Sequence, residues 1–371
     1  MFLPAEWHQQ AFVQLTWPHQ GTDWAPVLAD AIDCFCNITR EIAKREPLLI
    51  VAQHPEEAKA ALMQRGIPLD NITMAECPTN DTWARDHAFI TCLDERQRKA
   101  ILLDFQFNGW GLKFAANLDN QINHHALPQI TSHYNSIPIE YQNHLDFVLE
   151  GGSIESDGEG TLMVTSSCML SKNRNSTLSR QDIEEQLKRY FQAERVIWIE
   201  HSWLAGDDTD GHIDTIARFC SPTSIAYVKC DDPTDEHYDT LQAMEQELLA
   251  LCTSDGTPYT LHPLPLPDAC YDEAGERLPA THANFLIINE AVLVPTYNQP
   301  DKDSAALDTL KKAFPHREIV PVDCRTLILQ HGSLHCSTMQ YPIFENHRSL
   351  VDRKRGCRAM ESEGPEQGQT Q

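Results

Sequence analysis

Leu48-Leu49-Ile50-Val51, followed by His54-Pro55-Glu56 and a helical stretch that runs to Gln64 and stops at Gly66, is the part of the chain from which the fold is read. A short apolar run, then a helix with a glycine stop, is one strand–helix unit. The alternation continues in both directions. Upstream, Leu28, Ile32, Phe35, Ile38 and Ile42 fall at helical spacing, which predicts a helix over Asp23 to Arg45 with Asp23 as its cap. Downstream, strands are predicted at 101–105, 162–165 and 196–199, and a helix from Ser179 carries Asp182 three residues on, a capping box. A further cycle has a strand over 224–228 and a helix from Thr234 to Leu251. A hairpin follows, pairing Phe285–Ile288 with Val292–Val294 around Asn289-Glu290, then a helix from Asp301 to Phe314 and a strand over 319–322. The units recur about every sixty to seventy residues with no linker of low complexity between them, which predicts a single α/β body over residues 1–343. Residues 344–371, with Arg353-Lys354-Arg355 and almost no apolar side chains, read as a solvated tail.

Composition narrows the function. The 371 residues carry 29 Lys+Arg against 54 Asp+Glu, a formal charge of −25, and so lack the basic face that a nucleic-acid binder needs. Hydrophobic residues at 41% and charged residues at 22% are the proportions of a folded protein. No apolar run approaches the ~18 residues that cross a bilayer. The N-terminus, Met1-Phe2-Leu3-Pro4-Ala5-Glu6, lacks the basic start and long apolar stretch of a secretory signal. Twelve cysteines are scattered without a Cys-x-x-Cys pair, as expected of reduced, buried thiols in a cytoplasmic protein. No nucleotide-binding loop is present, so no nucleotide cofactor is expected.

Four distant segments are dense in ionisable and aromatic residues: Asn80 to Asp86, Leu149 to Glu155, Asp207 to Asp214, and Gly332 to Cys336. In an extended stretch His212 and Asp214 would project to one side. That pair could serve as two zinc ligands, but no third or fourth ligand stands at a recognisable spacing. It could equally be a core histidine beside a solvated acidic loop. Cys336, after a Gly-Ser turn and beside His335, has a setting in which a thiolate can be activated, since positive partners lower a pKa that starts near ~8.5. Eleven other cysteines make the structural reading of any one of them a serious rival.

Taken together, Trp83-Ala84-Arg85-Asp86, Glu150-Gly151-Gly152, His212-Ile213-Asp214 and Cys336, in this order, resemble the agmatine deiminase and bacterial peptidylarginine deiminase family. So do Leu3 to Trp7, Leu15 to His19, Phe107 to Gly111, Asn173-Arg174-Asn175, Asn284 to Ile287 and Val294-Pro295, so that the likeness spans residues 3 to about 342. It implies a pentein, an α/β-propeller of five ββαβ-type modules around a pseudo-fivefold axis with the active site at its centre. It also implies Cys336 as nucleophile, His212 as general acid/base, Glu150 as the carboxylate that orients His212, and Asp86 with Asp214 as the pair that grips a guanidinium. No metal and no organic cofactor enters that chemistry. The expected partner is a small cationic guanidine, with neither nucleic acid nor membrane involved.

Trp83 and Trp110 are candidates for the channel walls, with core packing as the rival for each, and Arg85 is expected to pair with an acidic neighbour. Agmatine ends in an ammonium that wants an acid, and Asp208 is the expected contact. A peptidylarginine or other guanidine deiminase, and a non-catalytic guanidinium or polyamine binder, are the alternatives. Two departures from the usual pattern stand out. Gly332-Ser333-Leu334-His335-Cys336 replaces the common Gly-Gly-Asn-Ile-His-Cys, and His282 stands where a tyrosine is frequent.

Overall fold

In the computed structural model, residues 1–135 and 137–344 are described; the expected tail lies outside the described residues, apart from Phe344. Five sheets share one plan. Ile90–Asp94 and Lys99–Gln106 form an antiparallel hairpin, and Ile139–Val148 then pairs with the second strand in parallel. Ile154–Ser156, Thr161–Thr165 and Arg195–Ile199 repeat the plan. So do Ala217–Ser221, Ser224–Lys229 and Thr260–Pro265, and then Leu286–Ile288, Ala291–Thr296 and Glu318–Asp323. The fifth sheet joins the two ends of the chain. Thr338–Pro342 lies antiparallel to Gln10–Thr16, which pairs in parallel with Leu48–Ala52, itself parallel to Ile72–Glu76.

Parallel neighbours need a crossover, and helices supply it: Leu28–Ala43, Asp119–Tyr134, Arg180–Phe191, Tyr238–Leu249 and Pro300–Ala313 each carry the chain back to the start of a sheet. Hairpin, helix and parallel strand make a ββαβ module, and five of them make a pentein. Inner strands such as Leu48–Ala52 and Thr161–Thr165 are buried along their whole length, because helices cover their outer faces.

Most of the predicted elements are present. Ser179 caps its helix through the expected reciprocal bonds with Asp182. The helix expected over 234–251 is shorter, Tyr238–Leu249, because Asp232 and Asp235 accept from the backbone N–H groups of Thr234 and His237 and hold the preceding residues in turns. The helix expected from Asp23 begins at Leu28, after a 3-10 turn over Ala25–Val27. The segment after His212 is not extended: Ile213–Thr215 is a 3-10 turn, closed by the Thr215 N–H and hydroxyl on the His212 carbonyl.

The seam between the chain's ends is tightly packed. Phe12, fully buried, stacks on Tyr341 with ring centroids 4.3 Å apart. Replacing Phe12 by Ala should remove about 3–5 kcal/mol of stability by loss of burial and creation of a cavity, read as a lower denaturant midpoint; an unchanged midpoint would show that the seam contributes little.

Candidate active site

Each module delivers its chemistry from the same place, the short turn that precedes its first hairpin strand. Asp86 lies in the helical turn Ala84–His87 before strand 90–94. Glu150 and Gly152 lie at the turn before strand 154–156, and His212 and Asp214 at the turn before strand 217–221. Asn284 comes before strand 286–288 and Cys336 before strand 338–342. Side chains far apart in sequence thereby meet. The Cys336 sulfur is 3.8 Å from Asp214 Oδ2 and 3.4 Å from Asn284 Oδ1, and His212 Nδ1 is 3.7 Å from Asp86 Oδ1.

Gly152 stands at the junction. A Cβ there would lie 2.6 Å from His212 Nδ1, 2.9 Å from Asp86 Oδ1 and 3.1 Å from Asp214 Oδ2, so only glycine leaves room for the three to converge. Its own N–H donates to Asp86 Oδ1 at 3.0 Å, while the Trp110 indole N–H donates to Asp86 Oδ2 at 3.0 Å. Trp110 adopts a left-handed conformation, φ 55°, between two glycines that are also at positive φ. Strain of that kind, about 1–3 kcal/mol, persists where surrounding contacts demand it, and here it aims the indole at a site carboxylate.

The site crowds several buried carboxyl groups together. Burial, then the nearby Asp214 and Glu150, push the Asp86 carboxyl well above its usual range despite its two donors. Burial, then Asp214 and Asp86, push the Cys336 thiol well above its usual value, so the resting residue is a protonated thiol. Burial lowers His212 to about 3, so its imidazole is neutral. Asp214 is the exception: burial would raise it, but the hydrogen bond and charge of His335, followed by His212, hold it low.

His335 therefore serves Asp214 and not the sulfur. Its Nδ1 is 2.7 Å from Asp214 Oδ2 and its Nε2 is 2.6 Å from Glu6 Oε2. Glu6 in turn meets Arg218 at 2.9 Å and Arg85 at 3.6 Å, and Arg218 also bonds Glu155 at 2.8 Å. Arg85 is thus a buried structural partner of an acid. This polar network beneath the site is one that sequence reasoning missed.

Cys336, Asp86, Trp83, Trp110 and Asp208 line one cleft with about 430 Å³ of free space, together with Asp23, Asp81, Phe114, Thr209, Gln330, His331 and Gly332. His212, Asp214 and Glu150 are buried behind it. The Trp83 ring occupies the space over Gly332, where a Cβ would come within 2.4 Å of it. Of the acidic run before His212, Asp207 is turned inward onto the N–H groups of Thr209 and Gly211, and Asp210 pairs with Arg174 and Lys113; Asp208 reaches the cleft.

Glu150 differs from its expected contact. Both of its carboxylate oxygens accept from Arg174 Nε, at 2.9 and 3.1 Å, and neither nitrogen of His212 has a hydrogen-bond partner among the described residues. Asn284 was quoted in the sequence only as part of a motif. Its Oδ1 accepts from the His335 and Cys336 N–H groups as well as facing the sulfur, so it shapes the turn that presents the thiol. The signal that could have found it is its place just before a module's first strand. His282 lies away from the cleft, bonded to Asp303 at 2.9 Å, and Ser333 is anchored by the Tyr297 hydroxyl at 2.9 Å.

With five such modules and a central acidic site, the chain is a pentein of the guanidine-modifying class. It belongs to the Porphyromonas-type peptidyl-arginine deiminase family, whose profile matches residues 2–342. A Selenomonas ruminantium protein provisionally named agmatine deiminase is 32% identical over 362 residues, covering 93% of this chain and 96% of that one. A Porphyromonas gingivalis structure, provisionally named an arginine deiminase, is 47% identical with a TM-score of 0.82, covering 92% of this chain and 98% of that one. A substrate-bound variant of the C. jejuni agmatine deiminase is 36% identical with a TM-score of 0.82, covering 92% and 96% of the two chains. The protein is accordingly a hydrolase that acts on the C–N bonds of guanidines. Among the described residues no helix is long and apolar enough to cross a membrane.

Gly152→Ala tests the convergence of the site. The added methyl must displace His212, Asp86 or Asp214, and a displacement on the ångström scale costs on the order of 10²-fold in turnover. Far-UV circular dichroism should stay as in the wild type while kcat/KM falls by at least that factor; near-normal turnover would mean the three side chains need not meet at this point.

Proposed function

We propose that the protein is an agmatine deiminase, hydrolysing agmatine and water to N-carbamoylputrescine and ammonia, a step that turns a guanidine toward putrescine and the polyamines. The observation that carries this reading is the charge of the cleft. Asp86 stands near the thiol, Asp23, Asp81 and Asp208 also line the walls, and no Lys or Arg is among the lining residues. A substrate with a cation at each end suits that distribution, whereas the carboxylate of free arginine would find four carboxyl groups and no Lys or Arg among the lining residues. Asp208 is the proposed partner of the terminal ammonium, and Trp83 and Trp110 pack on the methylene chain between the two cations.

The proposed chemistry follows from the same charges. The planar guanidinium lies between Asp86 and Asp214, which accept paired N–H bonds and neutralise its charge. Its arrival removes much of the repulsion that keeps Cys336 protonated, so in the complex the thiol passes its proton to the neutral imidazole of His212. The sulfur bonds to the central guanidinium carbon, His212 delivers a proton to the departing nitrogen, the C–N bond breaks and ammonia leaves a cationic thiouronium. Water, deprotonated by His212, then attacks the same carbon, the C–S bond breaks, and the ureido product and thiol are released. Glu150, fixed by Arg174, contributes a negative charge behind His212. No metal or cofactor takes part in this scheme. We also infer a cytoplasmic enzyme with one catalytic unit over residues 1–343, supported by the free thiols of the eleven described cysteines and by the extent of the family match.

A second reading, hydrolysis of free or peptidyl arginine, is favoured by the names given to two solved relatives, 47% and 42% identical to this chain. One assay decides between them: ureido product formed from agmatine, free arginine and an arginine-containing peptide, with Cys336→Ala as the blank. Agmatine should be turned over best; a clear preference for the peptide overturns the assignment. Asp208→Asn should raise the KM for agmatine about tenfold, the worth of one charge-assisted contact, with kcat little changed.

The pH dependence has a definite sign. Cys336 must lose a proton, and its pKa is raised in the free enzyme but relieved in the complex. The rising limb of kcat should therefore lie at lower pH than the rising limb of kcat/KM, since these report the complex and the free enzyme respectively. Coincident limbs would rule out activation of the thiol by the substrate's charge.

A further inference from the structure

We propose that Glu150, Cys168 and His212 form a binding site for one Zn2+ ion, and that its occupation arrests the enzyme. One ligand atom from each lies within 4.8 Å of the others, and all three side chains are buried. An imidazole nitrogen, a thiolate and a carboxylate oxygen are the donors that suit zinc. Tetrahedral zinc, with bonds of roughly 2.0–2.3 Å, spaces its ligand atoms roughly 3.3–3.8 Å apart. Closing the present triangle onto an ion therefore takes a movement of about an ångström, within reach of side-chain adjustment.

The second observation is the state of His212. It is fully buried, yet neither Nδ1 nor Nε2 has a hydrogen-bond partner among the described residues. A buried imidazole with both nitrogens unpaired forgoes stabilisation that a ligand would supply. Asp86 Oδ1, at 3.7 Å, is too far from Nδ1 to satisfy it.

Charge balance also permits a divalent ion. Arg174 lies against Glu150, but its charge is shared with Asp210, whose Oδ2 is 2.6 Å from Arg174 Nη1. Zn2+ bound to the Glu150 carboxylate, the Cys168 thiolate and neutral His212 leaves no net charge on the ion and its ligands. Binding releases the Cys168 proton to solvent as the S–Zn bond forms.

Arrest follows because a nitrogen lone pair given to zinc cannot carry a proton. It rests on the acid/base role proposed above for His212, whereas uptake of the metal does not. The two are measured separately. Equilibrium dialysis against buffered Zn2+ uses full-length Cys336→Ala, which removes the nucleophilic thiol as a rival ligand. We expect one zinc per chain, lost on adding either Cys168→Ser or His212→Ala. Absence of uptake, or uptake indifferent to Cys168, overturns the site. In the enzyme with Cys336 intact, Zn2+ should inhibit guanidine hydrolysis, and Cys168→Ser should raise the half-inhibiting free zinc at least about tenfold with little change in metal-free turnover.

Zinc uptake through these residues without loss of turnover would overturn the arrest and the role of His212, but not the site. Should substitutions of Cys168 fail to fold, Co2+ added to Cys336→Ala is the probe. A thiolate-to-cobalt absorption band that disappears with His212→Ala supports the site, and its absence refutes it.

Discussion

Asp86 and Asp214 are buried close together facing a thiol, and the rest of the architecture answers to that constraint. Carboxylates so placed repel one another and are poorly solvated. Asp86 is stabilised by two donors, the Gly152 backbone and the Trp110 indole, which explains a glycine that tolerates no side chain and a tryptophan kept in an unfavourable backbone region. Asp214 depends on His335, and through it on Glu6, Arg218 and Arg85. What these contacts leave uncompensated is a demand for a cation, which a guanidinium meets with the right shape as well as the right charge. The same carboxyl groups push the thiol of Cys336 up as well.

The repeating strand–helix units were readable along most of the chain because their inner strands are short apolar runs and their helices carry ordinary signals. The Ser179–Asp182 cap and the hairpin around Asn289-Glu290 are instances. What escaped reading has a physical cause. The helix Asp119–Tyr134 contains Pro128 and is rich in histidine and asparagine, so it has little apolar periodicity. The strand Ile139–Val148 is a partly exposed edge with alternating burial and no apolar run. Gln10–Thr16 is buried, but its two glutamines bond to partners hundreds of residues away, which no local pattern reveals.

The site was legible as a set of residues but less so as a set of contacts. Asp86, Cys336, Trp83, Trp110 and Asp208 share one cleft, with His212 and Asp214 directly behind it. The reasoning that grouped His212 with Asp214 assumed an extended segment, whereas a 3-10 turn brings them together. Glu150 was read as the partner of His212, yet Arg174, a residue noted only within a motif, takes its carboxylate. Such pairings are decided by where modules abut, and spacing along the chain carries no record of it. A positional rule does emerge from the fold: the turn before each module's first strand faces the centre, and by that rule Asn284 belongs with the others.

The pairing of Thr338–Pro342 with Gln10–Thr16 bears on how the molecule is made. Cys336, the proposed nucleophile, sits only two residues ahead of this strand, so on the ribosome its thiol is delivered after the acids and the imidazole have long been synthesised. A nascent or truncated chain that stops short of this point can harbour no reactive sulfur beside its carboxylates. Closing the final seam and completing the set of side chains at the centre are then a single event.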